Sequence, residues 1–118
     1  MKIIKSNVDL SDKKLIYKLT KSSGLMVQDA PEDLSIPVKY WALYDDPKTG
    51  KDGAEKENLV LSFIGEGGGK YSTISATFQR EFLEIVEIME NDPFAILLKH
   101  GTAKNGKPFV TCELDCDF

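Results

Sequence analysis

Histidine and tryptophan each occur once in this 118-residue chain, and cysteine occurs twice. Each scarcity excludes something. A structural zinc site wants four Cys or His ligands at short spacings, and Cys112, Cys116 and His100 are too few. The cysteines sit four residues apart on an extended segment, which puts their Cα atoms roughly 13 Å apart at about 3.3 Å per residue. A disulfide needs less than about 7 Å, so both are expected as free thiols, with Cys112 in the core. No apolar run approaches the roughly 20 residues of a membrane-spanning helix. The opening MKIIKSNVDL lacks the apolar stretch and small-residue site of a signal peptide, so a cytoplasmic protein is expected.

Catalysis has little to work with. His100 is alone beside Lys99, no Ser or Cys has an identifiable base, and the carboxylates gather on one helix face. A nuclease would want clustered acids on strands. Neither an enzyme nor a metal or cofactor site is expected. GEGGGK (65–70) fails as a phosphate loop, because Ile64 stands where Gly is required and Tyr71 where Ser or Thr is. DDPKTGKDGAEK (45–56) fails as a calcium loop, with Pro47, Thr49 and Lys56 at ligand positions.

What is present is an ordinary globular composition, 42% hydrophobic and 29% charged, sized for one domain over residues 1–118. The net charge of −4 is segregated. Residues 1–21 carry Lys2, Lys5, Lys13, Lys14, Lys18 and Lys21 against two aspartates, whereas residues 81–92 carry Glu81, Glu84, Glu87, Glu90 and Asp92 with no cation. A short acidic end, 113–118, closes the chain. An acidic total therefore leaves room for a basic surface. The glutamate row itself reads most simply as a solvated face.

KKLIYKLTK (13–21) alternates, with Leu15, Tyr17 and Leu19 on one side and Lys14, Ile16 and Lys18 on the other, which predicts a half-buried strand with a cationic outer face. LMVQD (25–29) continues it after a bend. SIPVKYWALYDD (35–46) predicts a long strand, a polar loop follows, and LVLSFIG (59–65) predicts a third strand with KYSTI a short extended piece after the glycine turn. TFQREFLEIVEIMEND sets Phe78, Phe82, Ile85 and Met89 on one stripe, capped by Ser75 or Thr77 and stopped by Asn91-Asp92-Pro93, which predicts a helix at about 76–91. FAILLKH (94–100) and KPFVTCEL (107–114) flank Asn105-Gly106, a hairpin signature. The order β-β-β-α-β-β in a mainly β chain with one helix is that of a five-stranded OB-fold, a Greek-key barrel.

Side chains alternate along a strand, so Tyr40 and Trp41 point to opposite faces. Lys39 shares a face with Trp41 by that count, which predicts Trp41 as the exposed ring, with Tyr44 in the same aromatic-rich strand. Rings among lysines suit single-stranded nucleic acid, because bases stack on the rings while cations follow the phosphates. The hairpin that borders the cleft of an OB-fold would add Lys99, Lys104, Lys107 and Phe109, and Lys18, Lys70 and Tyr71 complete the expected DNA-binding set. The end ELDCDF resembles the acidic tails, closed by a terminal Phe, with which bacterial and some phage single-strand binding proteins recruit partners. Asp115, Asp117 and Phe118 would take that part.

The KLTKS segment, the YWALYDD strand, the SATFQREFLEIVEI helix and the HGTAKNGKPFVTCEL hairpin together resemble the small single-stranded DNA-binding proteins of phages infecting lactic acid bacteria and their relatives. That resemblance implies an OB-fold protein that coats single-stranded DNA without strong sequence preference in phage replication and recombination. It also implies a homo-oligomer, dimer or tetramer, inside a bacterial host cell, with no membrane partner. The alternative reading is a non-enzymatic OB-fold interaction module that docks host replication proteins through its acidic helix.

Overall fold

The computed structural model describes residues 1–118. In chain order the elements are β1 (Lys2–Ser6), α1 (Lys13–Thr20), β2 (Leu25–Met26), a 3-10 turn (Val27–Asp29), β3 (Ser35–Asp45), β4 (Lys48–Thr49), β5 (Glu55–Lys56), β6 (Leu59–Gly65), β7 (Lys70–Thr73), α2 (Ala76–Met89), β8 (Ala95–Thr102) and β9 (Pro108–Leu114). The main sheet runs β2-β7-β6-β3-β8-β9, with β1 also on β3, and β4 and β5 form a small separate ladder in the polar loop. All pairings in the main sheet are antiparallel except β2 with β7.

The long β3 organises this sheet. Residues 35–37 pair with β8, residues 42–45 pair with β1, and residues 38–45 pair with β6. A strand that changes partner along its length forces the sheet to curl, here into a half-barrel. Helix α2 covers the face of the sheet that carries the larger core, its apolar stripe turned inward. The Ser75 hydroxyl accepts the Phe78 N–H at 3.3 Å, satisfying a helix-start donor. Phe78, Phe82 and Ile85 are buried and Met89 is half-buried. Their partners are aromatic: Phe63 of β6 stacks with Phe82 at 5.5 Å and Phe78 at 6.2 Å, and Trp41 meets Phe82 edge-on at 5.7 Å. Cys112 closes this core as a buried free thiol, while Cys116 is exposed and free. Burial pushes the Cys112 thiol far above its ordinary range.

Residues 13–20 are a helix, not the expected strand. Leu15, Ile16, Leu19 and Thr20 fall on one helical face and turn inward, whereas Tyr17, placed with the leucines by strict alternation, is 63% exposed. Asp12 caps the helix, its carboxylate accepting the Leu15 N–H at 3.2 Å. A run of Lys and Leu with that cap satisfies helix chemistry better than strand chemistry. The chain therefore has two helices where the sequence predicts one. Helix α1 covers the opposite face of the sheet, where Leu19, Ala42, Tyr44 and Val60 form a second, smaller core.

How one strand serves both cores is explained by a bulge. Val38 pairs with Gly65, and Tyr40 with the adjacent Ile64, so Lys39 is an extra residue. Before it, Ile36 and Val38 face the main core; after it, Trp41 and Leu43 do, while Tyr40, Ala42 and Tyr44 face α1. Asn7 holds the bulge: its Oδ1 accepts the Trp41 N–H at 2.8 Å and its Nδ2 donates to the Lys39 carbonyl at 3.1 Å.

Candidate nucleic-acid interface

The bulge brings Lys39 to the rim of a concavity of about 450 Å³ between α1, β3 and the β6–β7 turn. Lys18 of α1 and Lys70 at the start of β7 also line it, with Tyr40 at its wall and Ser22, Ser23 and the glycine turn beside them. The Lys39 ammonium lies 5.4 Å from the Tyr40 ring centroid, within cation–π range. Lys70 donates to the Ser22 carbonyl, and partial desolvation holds its pKa below the ordinary lysine value. An anion there would relieve that desolvation penalty. The protein's two ion pairs are Lys21–Asp46 and Lys99–Asp33, so the three groove lysines carry unpaired charge. Glu66 is the one acid in the lining.

The β8–β9 hairpin forms as its sequence requires. Gly106 takes a positive φ of 85° at the tip, and Asn105 Oδ1 accepts the Lys107 N–H at 3.1 Å. Lys104 and Lys107 are exposed there. Phe109 is 46% exposed and lies over its cross-strand partner Gly101, where any Cβ would collide with the ring. Lys99 turns away from the tip to Asp33, whose hydrogen bond raises the lysine pKa.

Two expected stacking rings are interior. Trp41 is 6% exposed, not the outer ring of β3, because the bulge reverses the alternation that placed it beside Lys39. Tyr44 is 4% exposed under α1, its hydroxyl 3.3 Å from Ser62 Oγ. Tyr71 is half-buried and stacks on Phe63 at 5.5 Å. The expected set thus divides into Lys18, Lys39 and Lys70 in one concavity, Lys104, Lys107 and Phe109 on the hairpin, Trp41 and Tyr44 inside, Tyr71 half-buried against Phe63 and Lys99 paired with Asp33. Tyr40 and the Ser22-Ser23 backbone join the first group. For Tyr40 the sequence signal is the neighbouring Lys39; Ser22 and Ser23 carry none.

The acidic end is folded rather than trailing. The Ser35 hydroxyl donates to Asp115 at 2.6 Å, and Asp115 Oδ1 accepts the Asp117 N–H at 3.0 Å. Phe118 is exposed at its tip. No group of three or more His, Cys, Asp or Glu side chains could hold a metal ion, and no helix is long and apolar enough to cross a membrane.

A curled β sheet with three unpaired lysines gathered round a tyrosine offers a concavity of a kind that suits an anion. Comparison narrows this: the model of the phage single-stranded DNA-binding protein family matches residues 1–115, and the chain belongs to that family. No curated protein and no solved structure matches it.

Proposed function

We propose that the protein is one domain that binds and coats single-stranded DNA without strong sequence preference during phage replication and recombination in the host cytoplasm. The supporting observation is the convergence of Lys18, Lys39 and Lys70, all outside ion pairs, on one concavity walled by Tyr40 in a chain of net charge −4. Phosphates would sit among the lysines and a base against Tyr40, with Lys104, Lys107 and Phe109 as a second contact along the strand. In this reading β3, β6, β7, β8 and β9 are the five strands of an OB-fold barrel bridged by α2, and β1, α1 and β2 are an N-terminal addition. The folded Asp115–Phe118 end is then a site for replication or recombination partners.

The test is a dT-oligomer titration at several salt concentrations. On a single strand each neutralised phosphate contributes about 0.7 to the steepness of the log–log salt dependence. The Lys18→Ala/Lys39→Ala/Lys70→Ala triple variant should therefore flatten the slope by about 2 and weaken binding at low salt. An unchanged slope removes the concavity from the interface. Salt-insensitive or absent binding by the wild type favours the interaction module that docks through its acidic helix.

A further inference from the structure

The two helices carry opposite charge, and at the start of α1 and the end of α2 it opposes the helix's own dipole, although Lys18 in the last turn of α1 agrees with it. Helix α1 has Lys13 and Lys14 in its first turn and no acid there, beyond the capping Asp12. Helix α2 ends with Glu87 and Glu90 and has no base in its last turn. Cations at a helix start and anions at its end each lower helix stability. Local rules are broken in this way where a surface serves something other than folding. None of these four residues is in an ion pair.

Each face also has apolar relief to match. On the α1 side Leu10 and Tyr17 stand out among the lysines, each 63% exposed. Beside α2 runs a trough of about 710 Å³ floored by Trp41, Leu43, Leu59 and Leu83, with Glu84 and Glu87 on its rim. Arg80, one helical turn before Glu84, and Lys5 also line it. The charge order corresponds along both segments: Asp9 and Asp12 precede Lys13 and Lys14, as Arg80 precedes Glu84 and Glu87.

We propose that the α1 face of one molecule docks in the α2 trough of a second copy, Tyr17 entering the apolar floor while Lys13 and Lys14 meet Glu84 and Glu87 and the aspartates meet Arg80 and Lys5. A chain that presents both halves of a complementary pair needs no other partner. The interface is heterologous, so repetition yields a ring or an open chain of copies. None of the eight named charges lines the lysine concavity, so this assembly does not depend on the nucleic-acid reading.

Charge reversal tests it by sedimentation velocity over a concentration series at low and high salt. Wild type should associate reversibly, less so in high salt. Lys13→Glu/Lys14→Glu and Glu84→Lys/Glu87→Lys should each raise the apparent dissociation constant at least tenfold. Both should melt close to wild type, because all four side chains are exposed and outside ion pairs and the reversals at 13, 14 and 87 agree with the helix dipoles. Binding to a short dT oligomer should persist in both. The four-fold variant, with both faces reversed, should associate again. A wild type that stays monomeric at every concentration overturns the proposal. So does association that survives either reversal, or that the four-fold variant fails to regain. Association lost on the α1 side alone would mean that the lysines dock elsewhere, and that too overturns it.

Discussion

Helices α1 and α2 lie on opposite faces of the same sheet, and they are held by different means. Helix α2 presses Phe78 and Phe82 into a cluster with Phe63, Trp41 and Phe94, all buried. Helix α1 contributes one fully buried large side chain, Leu19, and covers polar groups: Ser62 is fully buried and its hydroxyl meets that of Tyr44, which reaches towards the Thr20 carbonyl at 3.5 Å. Aromatic burial makes α2 integral to the core. The α1 side is a thinner layer laced with hydroxyls, and it leaves its lysines free for outside partners.

That contrast can be broken by paired substitutions. Phe82→Ala should destabilise the protein by about 3–5 kcal/mol, the range for deleting a buried aromatic ring. Leu19→Ala should cost about 2–3 kcal/mol, near the low end for a buried leucine, because the shallow layer can settle into the space. Urea unfolding of both variants measures this, and equal losses would abolish the distinction. A finer measure is Tyr44→Phe, which removes long hydrogen bonds and should change stability by about 1 kcal/mol or less at pH 7. Its effect should appear at high pH. Burial raises the Tyr44 pKa above 10.0, so the unfolded phenol ionises first and the wild type loses stability as pH rises past its unfolded value. The variant should lose less between pH 10 and its alkaline unfolding. Identical alkaline profiles would mean that the phenol is not shielded by α1.

Those elements with strong local signals were legible in the sequence. The apolar stripe and Ser75 cap define α2, and Asn105-Gly106 defines the hairpin. The strands at 35–45 and 59–65 follow from β-branched and aromatic runs. Residues 13–20 were not, because Leu-Ile-Tyr-Lys-Leu satisfies both a period of 2 and a helical face; Asp12 was the deciding signal. The site was half legible. Lysines could be named singly, but their meeting depends on α1 crossing the sheet beside the glycine turn. The aromatics were assigned to the wrong faces because a bulge leaves no mark in the pattern: the sequence on either side of Lys39 is ordinary strand.

The bulge makes β3 a strand with two phases, in which residue count matters more than residue type. Flattening the bulge with Lys39 kept in register would turn the C-terminal half over, presenting Tyr40 and Tyr44 to the aromatic core and Trp41 to α1, whereas deleting Lys39 would leave a regular strand with every side chain on its present face. Two amphipathic patterns are thus spliced at a single position, and the splice is guarded from outside the sheet by Asn7. The N-terminal segment is therefore a phase lock as well as a covering layer: seven residues into the chain, it settles which way a strand thirty residues later will face.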